Sequence, residues 1–120
     1  MSKRYVMINE LKPEYVNEYI RAHKTMHEGE WKEQLDVLHK AGAKECISYI
    51  YGNFSILLYE CDDIDESFTA LGKDPRRAAW EEYTQPMFAN NPKFDGSAAI
   101  PLLQKIFDMK QQIEGKLDDF

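Results

Sequence analysis

The sequence predicts an α+β fold in which helices cover one face of an antiparallel sheet, and three observations predict it. A β-branched and aromatic run at residues 46–51 is followed by Gly52-Asn53 and a second such run at 54–60, the pattern of a tight hairpin. Apolar residues at helical spacing flank that hairpin, Val16 and Ile20 before it and Ile64, Phe68 and Leu71 after it. Strand-like alternation opens the chain at residues 4–11 and returns at 102–109.

In the first strand Tyr5 and Met7 alternate with Val6 and Ile8, so both faces are apolar. Pro13 suits the first position of a helix, where its missing N–H has no partner to lose. Apolar positions then recur at Val16, Ile20 and His23, and again at Leu35, Leu38 and Ala41, before Gly42 ends the run. The segment His27-Glu28-Gly29-Glu30-Trp31 interrupts this pattern, since glycine costs about 1 kcal/mol inside a helix. A kink or two helical pieces are expected, with Trp31 anchoring the second. After the hairpin, Asp62, Asp63, Asp65 and Glu66 open a short helix, where the helix dipole favours acidic side chains. They lack the spacing of an EF-hand loop. Asp74-Pro75 caps a further helix carrying Trp80, Tyr83 and Met87, which Pro86 bends or stops.

Residues 90–96 are expected to be loop, 102–109 a last strand, and 110–120 a charged tail outside the single domain of residues 1–109. The order β-α-β-β-α-β is that of a ferredoxin-like sandwich. Strands that are apolar on both faces do not suit a sheet with one face in water. A second copy of the chain, making a homodimer, is the expected cover, with the C-terminal tail as the alternative.

The chain has 120 residues, 43% of them apolar and 30% charged, enough for one core. No run is long and apolar enough to span a membrane. A net charge of −6 disfavours nucleic acid and anionic membrane surfaces as partners. Met1-Ser2-Lys3-Arg4 leads into a strand without a signal-peptide apolar region, and Cys46 and Cys61 have no CxxC spacing. A cytoplasmic protein with reduced thiols is the expectation. Cys61 reads as a small packed hydrophobe, Arg76-Arg77 as surface charge, and Glu81 and Glu82 as a solvated helix face.

The chemistry-bearing stretch is Tyr19, His23 and His27, at i, i+4 and i+8, which a continuous helix stacks along one face. Histidine changes protonation near neutral pH, so one that is half buried beside a phenol points to acid–base chemistry. A core histidine satisfied by hydrogen bonds fits the same spacing. Two histidines one turn apart also begin a metal site, but no third ligand follows at a recognisable spacing, so no metal is expected.

Taken together, several pieces resemble the L-rhamnose mutarotase family over residues 4–109. They are Tyr5-Val6-Met7, Glu18-Tyr19 with His23, Trp31, residues 38–42, Leu57-Leu58-Tyr59-Glu60, Trp80 with Tyr83 and Met87, and Leu103-Gln104-Lys105-Ile106-Phe107. The resemblance implies a dimeric α/β barrel whose cavity binds a six-carbon sugar and interconverts its anomers without metal or cofactor. It makes His23 the proton donor, with Tyr19 and Trp80 holding the monosaccharide.

The chain departs from that family in three places. Cys46 stands where the family carries a tyrosine, with Tyr49 or Tyr51 as possible substitutes. Ala79-Trp80 replaces a Trp-Trp doublet. The segment from His23 to Trp31 is one helical turn longer than usual, so His27 reproduces the common His-x3-Trp spacing. His23 keeps the tyrosine one turn before it and is preferred as the proton-transfer group, with His27 contacting substrate. The wider pocket implied by Ala79 makes L-fucose an alternative to L-rhamnose. A non-catalytic binding module and a cofactor-free oxygenase share the architecture and stand as alternatives.

Overall fold

A computed structural model describes residues 2–116. Three antiparallel strands form its sheet: β1 (Lys3–Glu10), β2 (Glu45–Tyr51) and β3 (Phe54–Cys61), in the order β1-β3-β2. The predicted hairpin is β2–β3, with Tyr51 opposite Phe54. Gly52, at φ 60°, occupies the first central position of its two-residue turn, where a side chain would be strained. A 3-10 turn at Pro13–Tyr15 leads into α1 (Val16–Lys24), and α2 (Glu33–Lys40) follows after an irregular segment. The interruption predicted around Gly29 is therefore a full break between two helices.

Beyond the hairpin come α3 (Ile64–Lys73) and α4 (Arg77–Thr84), the latter extended by a 3-10 turn at Gln85–Met87. The acidic start of α3 includes a true cap, for the Asp63 carboxylate accepts the Glu66 N–H at 3.1 Å. A last helix, α5 (Met109–Glu114), takes up part of the predicted tail, and residues 117–120 lie outside the described residues. Among the described residues, no helix is long and apolar enough to cross a membrane.

Residues alternate across the strands, so Met7, Leu57 and Tyr59 face the helices while Val6, Ile8, Ile56 and Leu58 face away. The inner residues pack with Val37, Cys61, Ile64, Phe68 and Leu71 into the main core. A second cluster joins Leu11, Tyr19, Met87 and Phe88, and a third joins Ala22, Met26 and Trp80. Cys61 packs as the sequence predicted. A Cβ on Gly72 would lie 2.4 Å from the Asp95 carbonyl oxygen, so this glycine lets the 90–96 loop close over α3. That closure brings Phe94 to 6.0 Å from Phe68, ring centre to ring centre. Phe68 is 1% exposed. Phe68→Ala is expected to cost about 3–5 kcal/mol in urea unfolding monitored by circular dichroism.

The predicted last strand at 102–109 does not form. Among the described residues, this segment makes one bridge to β1, Met7 with Leu102, and one further bond in which the Leu103 N–H donates to the Val6 carbonyl. The reason is local: the Leu102 N–H turns back to the Ile100 carbonyl across Pro101, a three-residue turn that kinks the chain out of register. The segment still lies along the free side of β1, so the order of the sandwich is kept. Its remaining apolar side chains are left in the open, Ile106 at 82% and Phe107 at 63% exposure.

Candidate functional site

Between the inner face of the sheet and the helices lies a cavity of about 360 Å³. Binding pockets span roughly 300–1,000 Å³, so this one suits a small ligand. The order of elements explains its position. The sheet supplies a floor through Leu57 and Tyr59, while α1 and α4 stand over it and turn Tyr19, His23 and Trp80 inward. His27, Leu35, Cys46 and Ser48 line it while being exposed, and so mark its open side.

His23 is fixed by its own helix. Its Nδ1 lies 2.7 Å from the Tyr19 carbonyl oxygen, which only accepts, so Nδ1 carries the proton. In the neutral ring Nε2 is then the nitrogen with a lone pair. Burial lowers the His23 pKa from its ordinary 6.5, and the nearby Arg77 charge lowers it further, against the opposing effect of the Tyr19 carbonyl bond. The imidazole is therefore neutral at pH 7, with Nε2 available as a base. Tyr19 packs on the same ring at 4.2 Å between centroids and shares a 3.0 Å hydrogen bond with the buried Ser55 hydroxyl. Burial also raises the Tyr19 pKa, so its phenol stays protonated.

An aromatic wall completes this side. Trp80, 4% exposed, meets His23 edge-on at 5.2 Å and Trp31 at 5.3 Å, and Trp31 stacks on Tyr83 at 5.0 Å. Tyr83 in turn donates to the Glu18 carboxylate at 2.8 Å, which ties α4 to α1. The tryptophan beside the imidazole offers a flat apolar surface to the C–H side of a ligand.

Of the four residues singled out from the sequence, Tyr19, His23 and Trp80 come together. His27 does not join them as the one-face helical stripe required. Helix α1 ends at Lys24, capped at Thr25, so the turn that was to carry His27 is not helical. His27 instead sits at the cavity's open side, its side chain 68% exposed and 3.7 Å from Glu28. Nor do Tyr49 and Tyr51 replace the missing tyrosine at Cys46. They alternate with it along β2 and point to the outer face, at 57% and 77% exposure.

The cavity tyrosine is Tyr59, directly opposite Cys46 across the β2–β3 ladder, with its hydroxyl bonded to Ser67. Burial pushes its pKa up to about 12. The Cys46 thiol lines the cavity from its open side.

Arg77 is the residue that sequence reasoning missed. It was expected at the surface with Arg76, but its side chain is 11% exposed and lines the cavity, 5.9 Å from the Trp80 ring centre. Arg76 does lie outside, paired with Asp36 at 2.9 Å and Asp74 at 2.8 Å. The spacing held the signal. Arg77, Trp80 and Thr84 fall at i, i+3 and i+7, one helix face, whereas Arg76 is turned away from it.

Against known proteins, the sequence model of the L-rhamnose mutarotase family matches residues 4–109. The crystal structure of an L-rhamnose mutarotase from Formosa agariphila superposes with a TM-score of 0.65 at 18% identity, covering 89% of this chain and 98% of that one. At that identity the likeness is one of fold. No match was found among curated proteins. The family match spans nearly all of the sandwich and every residue of the cavity wall described above, and the chain belongs to the L-rhamnose mutarotase family, which is a family of isomerases.

Proposed function

We propose that this protein interconverts the α and β anomers of a 6-deoxy-L-hexose, with L-rhamnose the first candidate and L-fucose the second. The observation that carries the proposal is the neutral His23 ring, its Nδ1–H held by the Tyr19 carbonyl and Trp80 beside it at the wall of a small cavity. Mutarotation needs the O1–H proton removed and O5 protonated as the C1–O5 bond breaks. The resulting open-chain aldehyde rotates about C1–C2, and the reverse steps close the ring on the other face. His23 Nε2 takes the O1 proton, and the imidazolium so formed returns it to O5. His23 thus acts as base before it acts as the proton donor that the family resemblance made it. Ring opening and closing are driven by proton transfers with no net oxidation or group transfer, so the reaction calls for no metal or cofactor.

Trp80 stacks against the sugar, the Tyr19 phenol positions His23 and contacts a hydroxyl, and His27 closes over the ligand from the open side. The catalytic unit is taken as residues 1–109, where the family match ends, with 110–120 as an appended tail. The free thiols Cys46 and Cys61 suit a reducing, cytoplasmic setting.

The working form is proposed to be a homodimer. On the outer face of the sheet Val6, Leu58 and Ile47 form one row and Ile8, Ile56 and Tyr49 the next, all in register. Ile8, Ile47, Tyr49, Tyr51 and Phe54 stand exposed there, an apolar patch of the kind that marks a protein interface.

The test is saturation-transfer NMR on the anomeric protons of L-rhamnose and L-fucose at equilibrium. Accelerated exchange with L-rhamnose is the expected result. No acceleration with either sugar, from a folded protein, would remove the proposal.

A further inference from the structure

Among the described residues Arg77 is the one that lines the cavity with a permanent charge, and its guanidinium is held from two sides. Nε donates to Glu81 Oε1 at 3.1 Å and Nη1 to Gln34 Oε1 at 3.2 Å. Gln34 is itself fixed, for it is 1% exposed and its Nε2 donates to the Arg76 carbonyl at 2.8 Å. Nη2 has no hydrogen-bond partner among the described residues. Buried Gln34 and partly buried Glu81, which the sequence alone places on a solvated face, thus pin the fork and leave its far end free, beside the tryptophan that touches His23. Glu81, which balances the charge, does not line the cavity. An anionic ligand is therefore not demanded, and a neutral oxygen that gains charge during reaction fits better.

We propose that Arg77 is a further substrate-binding group of the reaction, its Nη2 donating to the sugar ring oxygen O5 as the C1–O5 bond breaks. This rests on the mutarotase function proposed above. The steps balance. Neutral His23 takes the O1 proton, the electron pair of the O1–H bond forms the carbonyl, and the C1–O5 pair passes to O5. The alkoxide is held by the Nη2 hydrogens until the imidazolium protonates it. Arg77 keeps its own proton throughout, since a guanidinium does not titrate in this range. A fixed donor aimed at developing charge needs no reorganisation at the moment of reaction. It strengthens its bond in the transition state, so its loss lowers kcat more than it raises KM.

The experiment compares wild type with Arg77→Gln, Arg77→Lys and Glu81→Gln by saturation-transfer NMR over a range of L-rhamnose concentrations, with sugar binding followed by tryptophan fluorescence. Arg77→Gln is expected to lower kcat by about 100-fold, as loss of one such donor does, with KM and fluorescence titration shifted by less than about threefold. Arg77→Lys, which keeps the charge without the fork, is expected to lose about tenfold. The acid limb of the pH profile is expected to move to higher pH in Arg77→Gln, because a positive charge next to His23 is gone. A purely structural role would not move that limb.

Turnover of Arg77→Gln within about threefold of wild type overturns the proposal. So does Glu81→Gln falling as far as Arg77→Gln, which would make the whole cluster a scaffold. If Arg77→Gln does not fold, Arg77→Lys decides, and turnover within about twofold of wild type overturns the proposal. A wild type that exchanges neither L-rhamnose nor L-fucose removes the mutarotase function itself, whereas an active wild type with an equally active Arg77→Gln removes only the role of Arg77.

Discussion

Replacing His23 with alanine is expected to slow anomer exchange by roughly 10²–10⁴-fold, the usual contribution of a positioned acid–base group. The fold should survive it. The Tyr19 carbonyl that holds Nδ1 also accepts the His23 backbone N–H of the helix, so removing the ring leaves no buried acceptor unpartnered. His27→Ala is expected to change the rate far less, because His27 is largely exposed at the cavity's open side. The same NMR exchange assay checks both. Full activity in His23→Ala with loss in His27→Ala would move the chemistry to the other imidazole. The pH profile gives a second check on the same group. The active form is the neutral ring, whose fraction rises with pH, and its pKa lies below the ordinary 6.5. Turnover should therefore climb with pH through a midpoint below that value. Turnover that falls as pH rises through the midpoint would mean that the protonated ring is the starting form.

A charge placed at Ile47 is expected to dissociate the proposed dimer. Ile47 lies opposite Leu58, which lies opposite Val6, so Ile47→Asp sets a carboxylate in the middle of an apolar row. Burying an unpaired charge against a partner sheet costs several kcal/mol, enough to weaken association by about 10³-fold. Sedimentation velocity at tens of micromolar should give twice the chain mass for wild type and the chain mass for the variant. A monomeric wild type would end the case for this interface. The cavity lies on the other face of the sheet, so the variant's circular dichroism should match that of wild type.

The parts of this fold that were legible in the sequence are those set by local chemistry. The β2–β3 hairpin is written in Gly52-Asn53 between two β-branched runs, and the start of α3 in Asp63 three residues before Glu66. Tyr19 and His23 were legible because a spacing of four holds inside one intact helix. His27 was misplaced because that spacing means nothing past the helix end at Lys24, and the end is set by the segment around Gly29 rather than by a strong local stop. Arg77 looked like its neighbour Arg76 because composition does not distinguish two faces of a helix, although the position of Trp80 does. Tyr59 as the cavity phenol depended on strand register, which pairs it with Cys46 across the hairpin. The alternation at 102–109 was real, but alternation does not reveal that the chain turns at Pro101 before it can pair.

The bond from His23 Nδ1 to the Tyr19 carbonyl points backwards along α1, toward the N-terminus. The backbone partner of the imidazole therefore lies one turn before it, while Trp80 meets the ring from α4. Residues 25–30, between α1 and Trp31, make neither of these contacts. On the proposed function, that segment can change at the rim of the pocket to suit a different hexose while the groups that hold the imidazole stay in place.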